Sequence, residues 1–173
     1  MDEIEIVPYD SAWPALAAEE IAKVRAALPF GLVRAIEHIG STAVRSLAAK
    51  PIIDLMILTS ALTAAKQLAV PPLEAMGYSY WRTNPNPARM FLVKGLPPAE
   101  RRTHHIHITE DEAELIRHCS FRDHLRRHAE DAKRYAALKR ALASRHRTDR
   151  EAYTEAKNDF VREIEAKQQR DPN

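Results

Sequence analysis

Gly40-Ser41-Thr42, Asp54, and the pair His105 and His107 are the residues of this chain whose types and spacing can do chemistry. Glycine is scarce, with four in 173 residues, so Gly40 at the end of an apolar segment points to a tight turn or a close backbone approach. Ser41 and Thr42 then offer hydroxyls beside amides that open a helix, which can cradle phosphate or equally cap an ordinary strand-to-helix turn. Asp54 interrupts the otherwise apolar run Pro51 to Leu58. A carboxylate there is costly to desolvate unless a cation, a donor or a water-filled cleft receives it. His105 and His107 lie two apart and share one strand face, with Ile106 and Ile108 on the other. With Asp54 they form a candidate catalytic and metal-binding set of two imidazoles and one carboxylate, suited to manganese, iron, zinc or nickel rather than to magnesium alone. The same imidazoles can instead bind phosphate or donate protons near it, or simply lie on a polar surface strand. Lys50, just before the Asp54 strand, Arg89, opening a strand after a Pro-rich loop, and Arg122, one turn before Arg126 and beside Asp123, are further phosphate candidates or solvated charges.

The elements that must position these groups follow from periodicity. Ile4 to Val7 reads as a short strand, and Trp13, Leu16, Ala17, Ile21, Val24 and Leu28 recur at helical spacing until Pro29. Val33 to Ile39 alternates as a strand does, and Pro51 to Leu58 suits a strand buried on both faces. A helix is expected from Ala61 to Ala69, broken at Pro71-Pro72. Tyr78 to Trp81, Arg89 to Lys94 and His104 to Thr109 read as three more strands, giving a mixed sheet of about five or six strands. From Asp111 to Lys167 the pattern is helical. Thr109 with Glu112, and Thr148 with Glu151, have capping-box spacing. Apolar stripes at Tyr135, Leu138 and Leu142, and at Tyr153, Ala156, Phe160 and Ile164, are expected to face a core.

Length and composition set the class. One domain over residues 1–173 is expected, mixed over 1–110 and helical over 111–168, with 45% apolar and 29% charged residues as in an ordinary globular protein. Cys119 is the only cysteine, which excludes an intrachain disulfide and a cysteine-rich zinc site. The acidic Met1-Asp2-Glu3 start is unlike a secretory signal, and no apolar run approaches the roughly 18 residues of a membrane span, so a cytoplasmic location is expected. The net charge of +2 does not indicate a nucleic-acid or membrane partner.

Gly-Ser followed a dozen residues later by an aspartate among aliphatics is similar to the metal-site motif of polymerase-β-like nucleotidyltransferases. There the serine turn holds the nucleotide's phosphates and the aspartate helps hold magnesium. More specifically, VPYDSAW at residues 7–13, IEH with GSTAVRSLAAKPIID over residues 36–54, HIHI at 105–108, FRDHLRRHAEDAKRYAALKRALA at 121–143, and Tyr153-Thr154 with Lys157 occur in the order found in the GrpB family. The chain resembles that family over nearly its whole length. The resemblance implies an α+β fold, a nucleotidyltransferase-like mixed sheet packed by helices and followed by a C-terminal helical segment. It also implies a kinship with chains fused to dephospho-coenzyme A kinase, and by itself it names no reaction.

Two departures bear on mechanism. Met56 stands where nucleotidyltransferases carry a second carboxylate, and His105 and His107 stand where another strand supplies a further one. Arg45-Ser46 replaces the family's usual Pro-Gly, so the turn after the cradle is expected to differ. His105-Ile106-His107 is also faintly similar to the histidine-triad hydrolases, with Thr109 in place of the third histidine. The expectation is a metal-dependent, nucleotidyltransferase-like protein that binds a nucleotide or other phosphorylated small molecule. Its divalent ion would be magnesium or manganese, with zinc or nickel as alternatives. The rivals are a non-catalytic nucleotide- or anion-binding module and a His/Asp metal-dependent phosphoester hydrolase.

Overall fold

A computed structural model describes residues 3–97 and 99–170 of the protein; Met1, Asp2 and the last residues of the expected domain, 171–173, lie outside the described part. Five strands form one mixed sheet in the order β1-β2-β5-β4-β3. They are β1 (Val33–Ile39), β2 (Ile53–Thr59), β3 (Tyr78–Tyr80), β4 (Arg89–Lys94) and β5 (His104–Thr109). β2 and β5 pair in parallel, and the other neighbours pair antiparallel. The fold is therefore α+β, with helices on both faces of the sheet.

Alternation along the central strands sorts their side chains between two cores. Leu55, Ile57, Ile106 and Ile108 pack with Val24 of α1 (Trp13–Ala27) and with residues of α2 (Leu62–Leu68) and α3 (Val70–Ala75). On the opposite face Ile39, Met56 and Leu58 meet Leu115 and Cys119 of α4 (Glu112–Arg127). Cys119 is a partly buried thiol beside this core, and burial pushes its pKa up. Then α5 (Ala129–Arg145), α6 (Arg150–Glu155) and α7 (Asn158–Arg170) close over the segment between β1 and β2. Val44 and Leu47 from that segment pack with Tyr135, Phe160 and Ile164. The Asp54 end of the sheet is thus roofed by C-terminal helices.

Several local expectations are corrected. Ile4–Val7 is not a strand of the sheet: Val7 makes a single antiparallel bridge to Ala49, Pro8 cannot continue a ladder, and Ile4 packs on Leu142, Ala143 and Tyr153 instead. Pro71-Pro72 does not merely stop a helix; the prolines sit in the first turn of α3, where a missing N–H costs nothing. The helical stretch after Asp111 is four helices, and Ala156, at the end of α6, is exposed while Tyr153, Phe160 and Ile164 are buried. Neither capping box forms as expected. Thr109 is completely buried within β5, so its hydroxyl accepts from the Asp111 amide, and Asp111 caps α4 by accepting from Ala113 N. Asp149, rather than Thr148, accepts from Ala152 N to cap α6. Among the described residues no helix is long and apolar enough to cross a membrane.

The turn after Gly40 keeps a glycine's geometry without a glycine. Ser46 has φ 65°, a left-handed conformation that side chains with a Cβ disfavour, and it is exposed. Ser46→Gly is expected to raise stability by about 1 kcal/mol, read as a higher urea midpoint at unchanged m-value.

Candidate functional site

Parallel pairing of β2 with β5 sets Asp54 opposite His105 and Met56 opposite His107. Side chains directly opposite in such a pair share a face, so the carboxylate and both imidazoles project to the same side, away from Ile106 and Ile108. The Asp54 Oδ1 to His105 Nδ1 distance is 2.9 Å. One ligand atom from each of Asp54, His105 and His107 lies within 4.8 Å of the others. Phe91, from β4, places its ring centroid 5.0 Å from that of His105 and 4.8 Å from that of His107, and so props both imidazoles. His105 Nε2 and His107 Nδ1 are buried without a hydrogen-bond partner among the described residues, a state that costs free energy until a ligand is supplied.

Asp54 keeps 26% of its side-chain surface while His105 keeps 10%, so the carboxylate stays partly accessible. Burial acts to raise its pKa, but the His105 hydrogen bond and the electrostatic surroundings, Lys50 among them, outweigh that and hold the carboxyl well below the usual range. For His107, burial and the Arg89 charge push the pKa down to about 3 against the pull of Asp54. A neutral imidazole beside an ionised carboxylate is the form in which both bind a cation.

The turn that follows β1 reaches the same carboxylate. Gly40 has φ 73° and ψ −170°, a backbone region open essentially to glycine alone. A Cβ at this position would lie 2.7 Å from Asp54 Oδ2. Scarce glycine is thus used for close approach as well as for the turn. The hydroxyls of the expected cradle diverge. Thr42 is buried and donates to the Ile52 carbonyl at 3.2 Å, while His38 Nε2, 2.9 Å away, donates to Thr42 Oγ1. Burial pushes His38 down to about 4, which keeps it neutral in that role. Ser41 instead lies beside the Tyr135 hydroxyl.

The expected phosphate cations are placed unequally. Lys50 acts electrostatically on Asp54 and lies 5.2 Å from the Tyr153 ring centroid. Arg89 stands at the His107 end, bound to Glu114 at 3.0 Å. Arg122 is 11% exposed and committed inward, with bonds to Asp123, to Glu37 at 2.8 Å and to the His38 carbonyl at 2.9 Å. Glu37, the β1 residue opposite Met56, is thus tied to Arg122.

Comparison with known proteins agrees with this architecture. Residues 3–167 match the family described as GrpB protein. A UPF0157 protein of Pseudomonas aeruginosa is 50% identical over 165 residues, covering 94% of this chain and 66% of its own length. The UPF0157 protein YqkA of Bacillus subtilis is 38% identical over 165 residues, covering 94% of this chain and 46% of its own. The crystal structure of the conserved protein GrpB from Enterococcus faecalis superposes with a TM-score of 0.82 at 34% identity, over 94% of this chain and 96% of that one.

The chain belongs to the GrpB family. It spans about two thirds of the Pseudomonas relative and under half of the Bacillus one. In this GrpB chain the structure also brings to the site residues that the sequence reading did not single out. His118, on α4, acts electrostatically on His107, and burial pushes it down to about 4. Lys157, which the sequence reading quoted only within a family motif, lies in the field of Asp54 and against the Tyr153 ring, and Lys139 lies against the Tyr135 ring within the field of Lys157. A signal for Lys139 existed: it falls one turn after Tyr135, on the inward side of the stripe.

Two outcomes are expected. Gly40→Ala destabilises by about 1–3 kcal/mol through backbone strain, and by measurably more when Asp54 is present than in an Asp54→Ala background, since only then does the new methyl meet the carboxylate; a denaturation double-mutant cycle reads the difference. The second concerns Lys139, which burial and the charges of Lys157, Lys50 and Arg140 push down to about 7. The unfolded chain holds that proton up to its ordinary 10.5, so across about pH 7 to 9 the unfolded state binds more protons and stability rises with pH. Lys139→Met flattens that rise, as measured by urea unfolding at several pH values.

Proposed function

We propose that this GrpB protein is a metal-dependent, nucleotidyltransferase-like protein that binds the phosphate groups of a nucleotide or other phosphorylated small molecule at Asp54, His105 and His107. The observation that carries this reading is the convergence of their ligand atoms within 4.8 Å, together with the two buried, unpartnered imidazole nitrogens. The donor set fits a divalent ion. Two imidazoles and a carboxylate favour manganese, zinc or nickel over magnesium, which takes oxygen ligands. Held there, the ion supplies Lewis-acid stabilisation of charge on phosphate oxygens.

The chain's own residues divide the remaining work. Phe91 and the Asp54 hydrogen bond hold the His105 ring in place, which is how outer contacts orient metal ligands. Gly40 lets the phosphate-facing turn approach Asp54 closely, and Lys50 adds positive charge from the adjoining loop. Met56 is completely buried in an apolar cluster, so a single-ion site suits this chain better than the two-ion arrangement of paired strand carboxylates. The 2.9 Å Asp54 to His105 contact favours one second reading, in which the pair acts as a metal-free general base toward a phosphoester.

Calorimetric titration separates the readings. Manganese binds the parent protein, and Asp54→Asn weakens it at least about tenfold, or roughly 1.4 kcal/mol, with the fold retained. Unchanged affinity in that variant would return Asp54 to a structural role. Nucleoside triphosphate turnover that needs the ion supports transfer, phosphoester cleavage in chelator supports the general base, and nucleotide binding alone supports the module.

A further inference from the structure

Strand pairing sets one row of side chains across the α4 face of the sheet. His107 on β5 stands opposite both Met56 on β2 and Phe91 on β4. The row continues into Trp81, just past β3, whose amide donates to the Phe91 carbonyl at 3.0 Å. Its neighbour Tyr80 packs against the opposite core, so alternation turns Trp81 to the side of the imidazoles. The rings follow one another. Phe91 lies 4.8 Å from His107 and 5.0 Å from His105, centroid to centroid, and Trp81 lies 6.2 Å from Phe91 with the planes at 71°. Phe91 thus joins the imidazole pair to Trp81.

Exposure changes along this row. Met56 is completely buried, His107 and Phe91 are partly buried, and Trp81 keeps 43% of its surface. An indole carries a large apolar area whose burial is favourable, and its one polar group does not hold it in water, since Nε1 donates to Thr83 Oγ1 at 3.0 Å. That bond and the Phe91 contact fix the ring, and what it still offers is flat apolar surface. At the other end of the row, His105 Nε2 and His107 Nδ1 are buried without a hydrogen-bond partner among the described residues, which calls for a ligand. A molecule that satisfies both ends is charged at one and planar at the other.

We propose that Trp81 is the stacking platform for the base of a mononucleotide whose phosphate meets the Asp54, His105 and His107 site, with the Phe91 ring between the two. The assignment rests on the function proposed above and narrows its ligand from phosphorylated small molecules at large to nucleotides. A sugar phosphate has no π-face to set against the indole. Stacking is tolerant of base identity because every base has such a face. A single-stranded polynucleotide lays successive bases on several rings along a basic groove, whereas this row exposes one indole, which suits one base.

The test is calorimetry, in the presence of manganese, with adenosine and cytidine monophosphates and, separately, with ribose 5-phosphate, which has the sugar and phosphate without the base. The nucleotides are expected to bind at least about fivefold more tightly. Trp81→Ala, at an exposed position, keeps the circular dichroism spectrum, abolishes the preference and leaves ribose 5-phosphate binding as in the parent, while Trp81→Phe retains most of the preference. Indole fluorescence gives an independent readout, because the chain has two tryptophans and Trp13 is 4% exposed. The nucleotides quench the parent but not Trp81→Phe, and ribose 5-phosphate quenches neither. Equal affinity for nucleotides and ribose 5-phosphate, no binding of the nucleotides, or a folded Trp81→Ala protein that keeps the preference overturns the platform. Repeating the titrations in chelator keeps the two readings apart. A protein that binds no manganese yet prefers nucleotides through Trp81 loses the metal reading and keeps the platform, and one that binds ribose 5-phosphate through manganese without preferring nucleotides does the reverse.

Discussion

The contact between Asp54 and His105 organises this protein, because a carboxylate in the middle of an apolar strand has to be satisfied before the strand can be buried. Its partner comes from a strand that pairs in parallel with its own, in the one register that sets the two residues side by side. A slip by one residue would place Ile106 against Asp54 and turn both imidazoles into the helical layer of α1 to α3. Gly40 follows from the same constraint, since a carboxylate held against the sheet leaves no room for a side chain on the adjoining turn. Strand register, the imidazole pair and the glycine turn are therefore consequences of one buried charge.

Charge is handled in two ways around that contact. On the α4 side, arginines are tied to nearby acids: Arg122 to Asp123 and Glu37, Arg126 to Asp123, and Arg89 to Glu114. They brace the helix against the sheet and have little capacity left for another anion. On the α5 to α7 side two ammoniums, Lys139 and Lys157, are set against tyrosine rings, and Lys139 also against a backbone carbonyl.

Much of the site could be read before any coordinates, because short-range rules govern it. Alternation put His105 and His107 on one face, a single polar residue in an apolar run marked Asp54, and a rare glycine at a strand end marked the turn. The misses depend on contacts between distant segments. Thr42 looks like a phosphate ligand until the Ile52 carbonyl and His38 are seen to use its hydroxyl. Ile4 to Val7 has the composition of a strand, yet it makes one bridge because its apolar side chains are needed by α5 and α6. Thr109 and Thr148 fit capping boxes by spacing, but Asp111 and Asp149 stand at the true starts of the helices. Arg45-Ser46 suggested an altered turn, and Ser46 instead takes up the glycine-like backbone itself.

The placement of β5 gives the protein a particular order of assembly. It follows the other four strands in the chain, yet it lies in the middle of the sheet, between β2 and β4. Two antiparallel pairs, β1 with β2 and β3 with β4, have local partners and can form early, whereas joining them waits for residues 104–109 to insert between. Asp54 and His105 are 51 residues apart in the chain, and the carboxylate remains without its imidazole until that insertion is complete. The pocket is then a late product of folding, and a probe that senses the three ligands together reports on the closing step of the sheet rather than on its beginnings.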